Sequence, residues 1–154
     1  MILTQGQGLT LRTLAPSDED DLYALLSDPR VMRYLQEPFS RPAAKAFLYQ
    51  AGMTVPPLIY AVEDDSGAFL GYAIYHAYDG HAMEIGWVLK PGVWGRGYAC
   101  RMTGLLLALA RRSGKGAVIE CSPNQQVSRH IAEKYGFACA GTVDGCLVYQ
   151  KNNP

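Results

Sequence analysis

Residues 83–122 change hydrophobic period twice, and that change limits the folds open to the chain. MEIGWVL at 83–89 is a short apolar run bounded by turn residues and reads as a strand. From there on, Tyr98, Met102, Leu105, Leu106 and Leu109 recur on one face at about 3.6 residues per turn, as in an amphipathic helix. Arg111 and Arg112 sit where that helix's C-terminus is negative, and Gly114 can close it. GAVIECS at 116–122 then returns to a strand pattern. A strand, a long helix and a strand form a crossover unit, and a crossover pairs its two strands in parallel.

The remaining segments read as antiparallel additions to this unit. LTLRTL at 9–14 alternates apolar and polar residues, and PSDEDD at 16–21 supplies a helix cap and an acidic first turn for DLYALLSD, which ends before Pro29. VMRYL at 31–35 and AAKAFLYQAG at 43–52 have helical spacing, separated by the breaker EPFSRP. LIYAVE at 58–63 and FLGYAIYH at 69–76 form a hairpin through DDSGA, with MEIGWVL as its third strand. QVSRHIAEKYG is a helix stopped by Gly136, and FACAGTVDGCLVYQK is a closing hairpin. The expectation is an α/β (α+β) chain with a mixed, mostly antiparallel sheet of about seven strands and helices on both faces, folded as one domain over residues 1–154.

Charge and cysteines narrow the partners. Lysine plus arginine and aspartate plus glutamate each total 14, so no net field draws the chain to nucleic acid or to an anionic membrane, and neither is an expected partner. An anion would have to be held locally. Cys100, Cys121, Cys139 and Cys146 contain no C-x-x-C pair and read as free thiols. MILTQGQG is not a signal sequence, and no segment approaches the ~18 apolar residues of a membrane span, so a cytoplasmic location is expected. His76, His81 and His130 share no metal-ligand spacing and are assigned to surface or turn roles, with no metal.

Between the strand at 83–89 and the long helix lies WGRGYA, residues 94–99. A helix N-terminus carries unpaired N–H groups and about half a positive charge, which suits a phosphate. Gly95 and Gly97 remove the β-carbons that would hold a phosphate off, and Arg96 adds a cation. The plainer reading is a tight turn only. A P-loop is excluded, because no Gly-Lys-Ser or Gly-Lys-Thr occurs. A dinucleotide fingerprint fits Gly95 and Gly97 but has Cys100 in place of its third glycine, and Lys90-Pro91-Gly92 separates the glycines from the strand.

Lys90 to Arg112 resembles the acetyl-CoA-binding segment of the GCN5-related N-acetyltransferases (GNAT), whose pattern is Gln/Arg-x-x-Gly-x-Gly/Ala at the head of a central helix. The match falls at Gly97 and Ala99. Trp94 departs from it, but P-x-x-W-G-x-G-Y-A is the form of the branch that includes the RimJ and RimL ribosomal-protein acetyltransferases. LTLRTLAPSDEDDLYALLSDPRVMRYL and SRHIAEKYGF resemble the same branch, so the likeness covers nearly the whole chain. The resemblance implies a sheet splayed at its central parallel pair, acetyl-CoA as co-substrate, and transfer of the acetyl group to a primary amine, either a small molecule or a protein N-terminus, by direct attack in a ternary complex. It implies cofactor contacts from Val88, Leu89, Trp94, Gly95, Arg96, Gly97, Tyr98, Ala99, Asn124 and Ser128. The family's usual Asn position is held by Gln125, and Asn124 stands one residue earlier.

The chemistry assigns further roles. The acceptor amine must lose a proton before attack, and Glu84, at the start of the strand leading to the glycine turn, is the candidate base, directly or through water. Gly86 is expected to mark a bulge that opens the strand. A backbone amide at Val88 or Leu89 would hold the thioester oxygen, a contribution of about 3 kcal/mol in comparable sites. Relatives use a tyrosine to protonate the thiolate where this chain has Ala132. Ser128 is the candidate that the resemblance to the RimL-like branch implies here, with a helix cap as its competing role; Tyr135 stands nearby, and solvent is a further proton source. Arg33, Tyr34 and Glu37 are the expected acceptor contacts, with Arg30 and Asp28 close by. A dinucleotide-binding oxidoreductase and a protein that binds acetyl-CoA without turnover remain as alternatives, and a homodimer stays open.

Overall fold

Gln7 and Gly8 both adopt positive φ, 52° and 79°, which is the backbone of a two-residue hairpin turn. They join β1 (Ile2–Gly6) to β2 (Leu9–Arg12) in the computed structural model, which describes residues 1–153. The chain continues through α1 (Glu19–Leu26), α2 (Pro29–Met32), α3 (Arg41–Phe47), β3 (Ile59–Asp64), β4 (Phe69–Ala77) and β5 (Ala82–Leu89). It ends with α4 (Tyr98–Arg112), β6 (Gly116–Cys121), α5 (Gln126–Lys134), β7 (Ala138–Val143) and β8 (Cys146–Lys151). All eight strands form one sheet in the order β1-β2-β3-β4-β5-β6-β8-β7, antiparallel except for the β5–β6 pair.

This is the expected mixed sheet, with one strand more than the seven read from the pattern. The additional strand is β1, whose residues are all exposed or only half-buried, so it carries no apolar alternation to read. A single parallel pair among eight strands rules out the doubly wound sheet that the oxidoreductase alternative requires.

The sheet divides the core in two. On one face, Met102 and Leu106 of α4 are fully buried against Leu9, Leu11, Ile85 and Leu89. On the other, Leu22, Leu25 and Leu26 of α1 pack with Leu48, Ile59 and Ala61. Each such leucine or methionine contributes about 2 kcal/mol of burial. Arg12 ties strand to helix beneath the second layer: its guanidinium binds both oxygens of Asp18 at 2.8 and 2.9 Å, and its Nε binds Glu63 at 2.9 Å.

Two glycines set the path of β5. At Gly71 φ is 151°, and a β-carbon there would lie 2.0 Å from the Val88 carbonyl oxygen, so no other residue lets β4 approach β5 this closely. Gly86 does not form the expected bulge. The β4–β5 register runs without a shift from Gly71↔Leu89 to Ala77↔Met83, and Gly86 instead makes room for Ile74, whose Cδ1 would lie 3.1 Å from a β-carbon. Among the described residues, no helix is long and apolar enough to cross a membrane.

Candidate active site

β5 and β6 pair at only three positions, Ala82↔Gly116, Met83↔Ala117 and Glu84↔Val118. Beyond Glu84 the strands part, so one edge of residues 85–89 has no neighbouring strand. Alternation decides which backbone groups face the gap. Lys90 donates its N–H to Leu70 of β4, which places Val88 in the hydrogen-bonded set with Tyr72. Trp87 and Leu89 therefore point their N–H groups toward the gap. Of the Val88 and Leu89 amides, that of Leu89 is left facing the gap and that of Val88 is paired within the sheet.

The gap leads to the glycine turn. Gly95 and Gly97 have φ of 76° and 80°, and Gly97 is the N-cap of α4. A β-carbon at either would meet nothing within 4 Å, so both glycines face open space rather than packed protein. No side chain caps α4 and no acidic residue stands in its first turn, which leaves the N–H groups at its start for an outside acceptor. Trp94 fixes this turn to the sheet: its indole N–H donates to the Leu89 carbonyl at 2.8 Å.

A cleft of about 690 Å³ opens here. Val88, Leu89, Trp94, Gly95, Gly97, Tyr98 and Ala99 line one side, and Asn124 and Ser128 line another. Arg33 and Tyr34 form part of the rim, the guanidinium stacked 5.0 Å over the tyrosine ring. Arg96 is not among the lining residues. Glu37 lines an adjoining depression of about 510 Å³ that shares Arg33 and Tyr34 with the cleft. Asp28 is committed elsewhere, because its carboxylate caps α2 at the Arg30 N–H and forms an ion pair with the Arg30 side chain.

Three competing roles on α5 separate. Gln125, not Ser128, occupies the N-cap, so the Ser128 hydroxyl is not a cap. Gln125 Oε1 accepts the Ser122 N–H at 2.8 Å, so that side chain is spent on the loop before α5. Tyr135 donates its hydroxyl to the Cys100 carbonyl at 2.7 Å, which holds α5 against α4 and keeps the phenol from the cleft.

Glu84 is the last paired residue before the strands part, and it does not itself line the cleft. Burial raises its pKa above the usual carboxylate range, nearby Glu120 adds to the rise, and His76 opposes it. His76 is its direct cross-strand partner, with Nε2 3.7 Å from Glu84 Oε2. The sequence alone reads His76 as a surface or turn residue. The signal that would have found it is the register of the 69–89 hairpin, which places residues 76 and 84 opposite one another.

The chain matches the acetyltransferase (GNAT) domain over residues 8–138. It is 26% identical over 143 residues to the uncharacterized N-acetyltransferase YnaD of Bacillus subtilis (strain 168), a match covering 90% of this chain and 84% of that protein. Its fold is similar to an acetyltransferase (GNAT family) from Bacillus anthracis, with a TM-score of 0.87, 21% identity and 99% of each chain covered. It is also similar to the ribosomal L7/L12 alpha-N-protein acetyltransferase RimL in complex with coenzyme A, with a TM-score of 0.80, 20% identity, and 99% of this chain and 98% of that one covered. By the domain match, the chain belongs to the GNAT acetyltransferase family.

Proposed function

We propose that the protein is an N-acetyltransferase that binds acetyl-CoA in the gap between β5 and β6 and transfers the acetyl group to a primary amine. The observation that carries this reading is the continuity of the opened strand pair with an uncapped, glycine-started helix. The first offers unpaired backbone donors to an amide-bearing arm. The second offers N–H groups and a positive dipole end to a diphosphate. That a relative of the same fold is described with coenzyme A supports it.

In this reading the amides at the start of α4 hold the diphosphate, and Asn124 and Tyr98 flank it. The Leu89 N–H donates to the thioester oxygen and gains strength as that oxygen becomes an oxyanion. Glu84 takes the proton of the incoming ammonium through water, since it stands at the apex of the gap rather than on the cleft wall. Collapse of the tetrahedral intermediate forms the amide and expels the thiolate, which Ser128 is placed to protonate. A thiol pKa near 8.5 makes this last step the least demanding. Arg33, Tyr34 and Glu37 border the acceptor's approach. A protein N-terminus and a small amine both fit a rim of this composition.

Calorimetric titration with acetyl-CoA tests the first half and thiol release on a panel of amines and N-terminal peptides the second. Binding of acetyl-CoA with no thiol release on any acceptor would favour a binding protein without turnover.

A further inference from the structure

The reading of Glu84 as base leaves a question of proton disposal, and the residue beside it answers that question. His76 Nδ1 lies 3.0 Å from the Ala77 carbonyl oxygen. A carbonyl only accepts, so Nδ1 carries the hydrogen, and in the neutral ring Nε2 is a bare lone pair. That lone pair faces Glu84 Oε2 at 3.7 Å. A bare nitrogen facing a carboxylate oxygen is the ready acceptor for a proton that the carboxyl gains.

The surroundings keep that proton local. Glu120 on β6 acts on Glu84, and Tyr78 and Asp79, in the turn between β4 and β5, complete the facing groups. The nearby cations are engaged elsewhere: His81 and Lys115 act on Asp79, and the Lys115 ammonium also donates to the Gly80 carbonyl. The His76 side chain is 27% exposed and Glu84 21%, so the pair has access to water without lying open to it.

We infer that His76 is the positioning partner of Glu84: it fixes the carboxylate on the strand edge and receives through Nε2 the proton Glu84 takes from the acceptor. In sequence, the ammonium N–H bond breaks as the bridging water gains that proton, and the water passes one of its own to Glu84, where an O–H bond forms. That bond breaks in turn as Nε2–H forms, and the imidazolium yields the proton to water at the rim. One proton reaches solvent for each amide formed, which matches the balance of ammonium plus thioester giving amide, thiol and a proton.

Two measurements on the full chain test the pair. Long-range proton–nitrogen correlation spectra of protein labelled with 15N-histidine, taken across a pH titration, report tautomer and charge directly. The expected result is the Nδ1–H tautomer at His76 and an Nε2 resonance that moves in Glu84→Gln, since that nitrogen faces the carboxylate. An Nε2–H tautomer, or an unchanged Nε2 resonance in Glu84→Gln, overturns the inference.

The second is thiol release from acetyl-CoA with spermidine and with a short peptide that has a free N-terminus. His76→Phe is expected to lower kcat about tenfold, short of the ~100-fold of a direct proton acceptor, with KM for acetyl-CoA within about twofold. Its acid limb moves to higher pH, and added imidazole restores part of the rate. His76→Gln keeps a polar group at this half-exposed site and is expected to show the same loss, which separates chemistry from a folding failure of the phenylalanine variant. Wild-type kcat and pH profile in both variants, with Glu84→Gln inactive, overturns the role of His76 alone. Full activity in Glu84→Gln overturns the base assignment itself.

Discussion

The indole N–H of Trp94 is 2.8 Å from the carbonyl oxygen of Leu89, so the last residue of β5 and the first residue of the glycine turn are held as one unit. Leu89 thus has its carbonyl engaged and its N–H left toward the gap. The same hydrogen bond fixes the distance between the Leu89 N–H, the proposed donor to the thioester, and the start of α4, the proposed seat of the diphosphate. Where other branches place a glutamine or arginine, this chain uses a ring that sets geometry rather than charge.

Trp94→Phe keeps the ring and removes the donor. With about 1 kcal/mol for a hydrogen bond of this kind, acetyl-CoA affinity is expected to fall about fivefold. Calorimetric titration measures it, and unchanged affinity would mean the turn keeps its place without the tether.

Gly97 separates strain from charge. An alanine at φ near 80° costs about 1 kcal/mol, whereas aspartate tolerates that region better. If backbone strain alone mattered, Gly97→Ala would bind acetyl-CoA more weakly than Gly97→Asp. With a diphosphate seated on the turn the order reverses, and Gly97→Asp is expected to lose at least about tenfold through like-charge repulsion.

Ser128 and Tyr135, the two hydroxyls near the cleft, are told apart by substitution. Tyr135→Phe removes the hydrogen bond to the Cys100 carbonyl and is expected to cost about 1 kcal/mol of stability, read by urea unfolding, with kcat retained. Ser128→Ala is expected to lower kcat about tenfold at pH 7 and less above pH ~8.5, where the expelled thiolate no longer needs a proton. A pH-independent effect of Ser128→Ala would point to a binding role instead.

Stability has its own acid limb. Burial by itself would raise the Asp18 pKa, but hydrogen bonds from Arg12 and from the Ala15 N–H outweigh it and the net direction is down. A carboxylate depressed in the folded state contributes stability that is whole above the unfolded value of about 3.9 and is lost as pH falls through the folded value. Urea midpoints measured from pH 7 downward are therefore expected to fall steeply below pH 4. Asp18→Asn is expected to cost about 1.5 kcal/mol at pH 7, since Arg12 is a quarter exposed and keeps Glu63 as a partner, and to flatten that acid dependence.

The sequence carried α4 and the crossover unit because Met102 and Leu106 repeat on a period that a helix alone satisfies. It did not carry β1, whose residues are exposed or half-buried and which is marked only by the Gln7-Gly8 pair. The choice between Val88 and Leu89 was out of reach for a different reason. It depends on strand parity, which is set by the Leu70–Lys90 hydrogen bond and the close approach at Gly71, both of them tertiary facts. His76 was passed over for the same reason, since it acquires a partner only once β4 and β5 are in register. Gly86 misled because a glycine that yields space to Ile74 looks, in sequence, like one that bends a strand.

The early separation of β5 from β6 also bears on mechanics. A wall with a seam down its middle is stiff on either side and yields along the join, and here the join closes only at Ala82, Met83 and Glu84. A ligand arm laid along the open part would act as a splint, so amide protons of Trp87 and Leu89 are those whose solvent exchange should slow most when the splint is in place. At a hundredfold excess over its dissociation constant it would add about 2.7 kcal/mol to the fold. The enzyme would then be least rigid between turnovers, along the line where its substrates must enter.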